Sequence, residues 1–118
     1  MNFEKIRAYC LQKKAVTEGF PFDENTIVFK VMGKMFLLMD ITSIEISVNL
    51  KCNPELAIAL REKYESVQPG YHMNKQLWNT VYYTGEFPER EFWEMIDHSY
   101  DEVVQKLSKK TQQELANL

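Results

Sequence analysis

Several classes of protein are excluded by what this chain lacks. No apolar run approaches the roughly 18 residues of a membrane span; the longest, Met35–Met39, is only a strand's length. Glycine and proline number four each among 118 residues, which excludes collagen-like and low-complexity chains. The two cysteines, Cys10 and Cys52, lie far apart and form no CxxC. Met1–Lys5 lacks the charged-then-apolar order of a signal peptide, so both cysteines read as reduced thiols of a cytoplasmic protein. An excess of positive charge is also missing. With 14 basic and 17 acidic residues the net charge is -3 and the pI near 5.4, whereas strongly basic nucleic-acid binders usually exceed about 9. No GxSxG, Walker-type loop, GxGxxG or HExxH occurs. The expectation is a protein that is not an enzyme and carries no cofactor and no metal.

What is present describes one domain over residues 1–118. The chain is 45% hydrophobic, 26% charged and 13% aromatic, ordinary globular values. A chain this long buries roughly 65% of its unfolded surface, enough to fold without staples. Asn2 to about Lys13 is a short amphipathic helix with Phe3, Ile6, Tyr9 and Cys10 on one broad side. Thr17–Asn25, with Gly19, Pro21, Asp23 and Asn25, has a loop's composition. Thr26–Met32 and Met35–Ile41 predict two strands joined by a tight turn at Gly33-Lys34. Next comes the cleanest alternation in the chain. Ile44, Ile46, Val48 and Leu50 point one way, and Glu45, Ser47, Asn49 and Lys51 the other. Asn53-Pro54-Glu55 starts a helix, with Asn as N-cap and Pro in the first turn. Its buried stripe is Leu56, Ala57, Leu60 and Tyr64. Leu77–Thr84 reads as a strand with Trp78, Thr80 and Tyr82 on one face. Pro88 opens a long helix reaching about Leu107, and Ser108 caps a last short one. The order α-β-β-β-α-β-α-α predicts an α+β two-layer sandwich: an antiparallel sheet with helices packed on one face.

Charge is distributed unevenly along the chain. Glu86 to Glu102 holds seven of the 17 acids against one base, Arg90. Ser66–Gly85 holds no acid at all, and contains Tyr71, His72, Asn74, Lys75, Trp78, Asn79 and Thr80. Asn49 and Lys51 lie on the polar strand face before it, and Lys34 at a hairpin tip. If the two strands share a sheet, Lys34, Lys51 and Lys75 give a mildly positive, hydrogen-bonding surface, and such groups suit phosphate and sugar. Trp78 either stacks on a base or belongs to the core. His98, with Glu94, Asp101 and Glu102 within a helical turn, reads better as part of a solvated acidic face than as a metal site.

The segment Val48-Asn49-Leu50-Lys51-Cys52-Asn53-Pro54-Glu55-Leu56 resembles the YjbR/MmcQ-like family. So do Pro69-Gly70-Tyr71-His72-Met73-Asn74-Lys75, Trp78-Asn79-Thr80-Val81 and Ile96-Asp97-His98-Ser99-Tyr100. Phe20-Pro21-Phe22 and Val28-Phe29-Lys30-Val31 fit as well, while Lys14–Glu18 departs where the family often has Pro-Gly. The resemblance implies a fold similar to CyaY, the bacterial frataxin, and a small DNA-binding protein without catalytic activity. Frataxin-type iron binding does not carry over, because the first helix has Glu4 as its only acid among Lys5, Arg7, Lys13 and Lys14. The expectation is weak, salt-dependent DNA binding. Lys51, His72, Lys75 and Asn79 contact phosphate and sugar, Asn49, Asn74 and Trp78 position or stack, and Lys34 adds charge. The alternative is a protein- or small-anion/nucleotide-binding module whose pocket is the same cluster, walled by Tyr71 and Trp78. A monomer is compatible with this reading, and no membrane is expected.

Overall fold

Local signals set most of the element boundaries. The computed structural model describes residues 1–118. Helix α1 (Phe3–Leu11) begins where the Asn2 side chain accepts the Lys5 N–H. Helix α2 (Pro54–Lys63) starts on Asn53, whose side chain accepts the Glu55 and Leu56 N–H groups. These caps satisfy amide donors that no helical turn can reach. Between α1 and α2 run β1 (Val16–Gly19), β2 (Thr26–Val31), β3 (Lys34–Asp40) and β4 (Ser47–Lys51). After α2 come β5 (Val67–Pro69), β6 (Trp78–Tyr82), α3 (Glu89–Gln105) and α4 (Lys109–Ala116). Ser108 caps α4 by accepting the Thr111 N–H.

The six strands form one antiparallel sheet in the order β1-β2-β3-β4-β6-β5. The architecture is the expected α+β sandwich, with two strands the sequence does not announce. Residues 17–19, expected in a loop, pair with β2 at the edge of the sheet. β5 is three residues long and ends on Pro69, which an edge strand tolerates. The β2–β3 turn falls one residue earlier than expected. Met32 and Gly33 both have positive φ, 49° and 81°, and Val31 pairs with Lys34, as the twist of a two-residue hairpin favours.

The sheet has two unlike faces. On one, α3 lies across β2, β3 and β4, and the main core gathers Ile27, Phe29, Phe36, Leu37, Val48 and Ile96. A register shift opposite Phe29/Lys30 leaves Phe36 unpaired in β3. This bulge lets Phe36 and Leu37, consecutive in sequence, both enter the main core. Ser99 of α3 stitches the layers together. Its hydroxyl donates to the Phe36 carbonyl (2.5 Å) and accepts the Lys51 N–H (2.8 Å). α1 joins α3 through Tyr9, which stacks on Trp93 (4.4 Å between ring centroids) and donates its hydroxyl to Asp97. Ile44, expected on the core face, is 99% exposed because β4 begins only at Ser47. Leu56, expected in the α2 stripe, is also exposed, while Ala57 and Tyr64 are buried. No helix is long and apolar enough to cross a membrane.

Candidate functional site

The face of the sheet opposite α3 carries its own small core. Val28, Leu38 and Trp78 pack together there, with Met35, Met73 and Leu77 around them. The chain between β5 and β6 folds back over this cluster. Gly70 makes the close approach possible: a Cβ there would lie 2.8 Å from Trp78 Cβ and 2.9 Å from its carbonyl oxygen. Two polar links hold the segment down. The Tyr71 N–H donates to Thr80 Oγ1, and that hydroxyl donates to Asn49 Oδ1.

Register decides where each expected site residue lies. β4 and β6 are neighbours, with Asn49 opposite Thr80 and Leu50 opposite Asn79. Alternation therefore places Asn49, Lys51, Trp78 and Thr80 on the face away from α3, and sends Asn79 toward α2. Asn79 is 2% exposed. It accepts Arg61 Nε at 2.6 Å and donates to the Ala57 carbonyl, so its carbonyl and its amide are both engaged inside the protein. Trp78 is 7% exposed, which makes it a core residue and removes it as a stacking platform. Asn74 is exposed but caps a turn by accepting the Gln76 and Leu77 N–H groups. Lys75 donates to the Gly70 carbonyl and braces the same segment. Asn79, Trp78, Asn74 and Lys75 thus have structural work that their residue types do not reveal.

Lys34 and Lys51 do meet. Together with Lys106 they line a pocket of about 300 Å3 whose apolar wall is Met35, Trp78, Val103 and Leu107. None of the three lysines is paired with a carboxylate; the Lys/Arg–carboxylate pairs of the molecule are four, at Lys5, Arg7, Lys13 and Arg90. Burial holds the half-buried Lys51 ammonium below its usual pKa, and the nearby Lys106 and Lys34 charges push the same way. Glu102 opposes them in part. Such a pocket relieves its own repulsion when an anion enters. No sequence pattern singles out Lys106. It sits at the C-cap of α3, and nothing local links it to a strand 55 residues earlier.

His72 and Asn49 line a second cleft, of about 440 Å3, with Tyr71, Phe22 and Met35. Met35 lines both cavities, so they adjoin across one side chain.

The groups that most resemble catalytic ones are otherwise engaged. Burial pushes the Cys10 thiol up to about 12 and the Cys52 thiol up to about 11, so both are protonated at neutral pH. His98 and Cys52 line a crevice of about 170 Å3 between α2 and α3, and there His98 Nε2 accepts the Asn53 N–H at 3.1 Å. No three His, Cys, Asp or Glu side chains gather as a metal ion would need.

The sequence profile of the YjbR family matches residues 11–102. The chain belongs to this family. The uncharacterised YjbR protein of Escherichia coli K12 is 30% identical over 118 residues, all of both chains. YbdF of Escherichia coli O157:H7 is 34% identical over 109 residues, 92% of this chain and 89% of that one. The crystal structure of Deinococcus radiodurans protein DR2400 superimposes with a TM-score of 0.91 at 36% identity. It covers 98% of this chain and 88% of that one. A Pseudomonas syringae protein of known structure has a TM-score of 0.69 at 26% identity, over 84% of this chain and 96% of its own. The span matched to the YjbR family contains Phe22, Lys34, Lys51 and Tyr71 and ends before Lys106.

Proposed function

We propose that this YjbR-family chain is a small, non-enzymatic DNA-binding protein that holds the phosphate backbone at the Lys34/Lys51/Lys106 pocket. The observation that carries this is the set of three unpaired lysines around one concave site in a chain whose net charge is negative. Only Lys5 and Lys13 among the eleven lysines pair with a carboxylate, so the informative feature is the convergence of three ammonium groups at one concavity. Such a convergence favours an external anion, and phosphate is the anion DNA repeats along its length. The acids crowd onto α3 from Glu89 to Glu102, so binding is one-sided.

Three lysines meeting three phosphates give a log–log salt slope of roughly -2.7 on duplex and about -2 on single strands. Affinity then lies in the range of about 10⁻⁴–10⁻⁶ M at physiological salt, as for other electrostatic binding. The test is fluorescence anisotropy of labelled DNA across a potassium chloride series, with wild type and K34A/K51A/K106A. Binding that weakens with salt and disappears in a folded triple variant supports the reading. Affinity that is flat in salt, or unchanged in the triple variant, refutes it.

A second reading takes the concavity of the same pocket as its observation. About 300 Å3 is the lower end of small-ligand sites, so a small anion or nucleotide fits the same lysines. A melting temperature raised by inorganic phosphate or a mononucleotide, and by no oligonucleotide, selects this alternative.

A further inference from the structure

We infer that the DNA taken by this chain is single-stranded, with an unpaired base stacked between Phe22 and Tyr71 in the cleft beside the lysine pocket. The inference deepens the DNA-binding reading above and rests on it.

Two large aromatic side chains line one cleft and are left mostly in water, Phe22 at 64% and Tyr71 at 67% exposed. Most other aromatic side chains of the molecule are at least partly covered. Tyr71 is held in place: its N–H donates to Thr80 and its ring lies 4.0 Å from that of His72. His72 has φ +58°, a left-handed conformation that costs a non-glycine residue energy unless its surroundings enforce it. Here the conformation comes with the Tyr71 ring being presented outward. The cleft floor is the side of the Val28–Leu38–Trp78 cluster, so a flat apolar ring entering it replaces water over methionine and leucine.

The charges of the two cavities are opposite. Asp23 and Asp40 line the aromatic cleft. Hydrogen bonds from Asn25 and Thr26 to Asp23, and from Thr42 to Asp40, keep both carboxyls ionised well into acid. A phosphate is repelled there and drawn across Met35 to the lysines. An exocyclic amino group of adenine, cytosine or guanine finds acceptors in those carboxylates and in Asn49. The pair of cavities therefore sorts a nucleotide into its two halves, phosphate to one side and base to the other. A duplex hides its base faces by stacking and its Watson–Crick edges by pairing, whereas a single strand offers both.

The experiment measures anisotropy of a labelled 12-mer single strand, its duplex and an abasic strand of equal length, with dAMP as competitor. The variants are F22A, Y71A and Y71F, each checked for an unchanged circular dichroism spectrum and melting curve. Wild type is expected to bind the single strand more tightly than the duplex. F22A and Y71A should each weaken single-strand binding by roughly 5- to 100-fold, the range of one lost base–aromatic stack. Y71F should keep it, and binding of the abasic strand should not respond to any of the three. Equal affinity for duplex and single strand with no effect of Y71A overturns the stacking inference, while loss of binding in K34A/K51A/K106A would leave the lysine reading standing. Competition by dAMP at the strand's own affinity overturns it in favour of a free nucleotide. No binding of any DNA by wild type overturns both.

Discussion

Arg61→Ala should destabilise the protein by about 2–4 kcal/mol, through a strap that joins α2 to the start of β6. Arg61 Nε donates to Asn79 Oδ1 at 2.6 Å, and its guanidinium also donates to the carbonyls of Trp78 (3.2 Å) and Lys75. Asn79 is 2% exposed, so removing the guanidinium leaves a buried acceptor with no partner. An orphaned buried acceptor costs about 1–3 kcal/mol, and hydrogen bonds to a charged group contribute about 1.5–3 kcal/mol. The Lys75 carbonyl is at an exposed residue and recovers water, which keeps the total below the sum. Urea unfolding followed by the fluorescence of Trp78 and Trp93 measures the loss. A double-mutant cycle with Asn79→Ala isolates the pair, and its coupling energy should be about 1–2 kcal/mol, within the usual span for residues in contact. A cost for R61A below about 0.5 kcal/mol, or strict additivity with N79A, would refute the strap.

Gly70→Ala places a methyl group 2.8 Å from Trp78 Cβ and 2.9 Å from its carbonyl. It should cost about 1–3 kcal/mol by overpacking; an unchanged urea midpoint would show that the segment moves aside freely. Glu86 accepts the Ser66 hydroxyl and the Ser66 and Glu65 N–H groups, and those bonds hold its pKa below the ordinary 4.5. A lowered folded-state value means stabilisation that is complete above the unfolded-state pKa and is lost as pH falls through the folded one. The stability gap between wild type and Glu86→Gln should therefore be widest near neutrality, begin to close below about pH 4.5 and vanish in stronger acid. Urea midpoints at neutral and acid pH read this directly, and a gap constant across that range would contradict it.

Short-range chemistry was legible from the residues. Asn53-Pro54 and Ser108 announce helix starts because a cap and its amides lie within three residues of each other. The alternation of Val48, Asn49, Leu50 and Lys51 announces a strand because the pleat has a period of two. The placement of Trp78, Thr80 and Tyr82 on one face follows from the same period. The edge strands were not legible. β1 has no inward-facing pair to show a pattern, and β5 is three residues long, so both owe their form to hydrogen bonds from a neighbour.

The site needed tertiary information at each step. Asn79 and Thr80 look alike as polar strand residues, yet one is buried against α2 and the other faces the opposite layer. Trp78 has the composition of either a platform or a core residue, and only the fold-back at Gly70 makes it core. Lys106 joins Lys34 and Lys51 because α3 packs across β3 and β4, a placement that no local pattern encodes. The sequence by itself determined the helices, the central strands and the acid-free stretch, since each depends on residues a few positions apart. The fold decided which side chains remain free to meet a ligand, because that depends on register, on crossing and on which hydrogen bonds are already made.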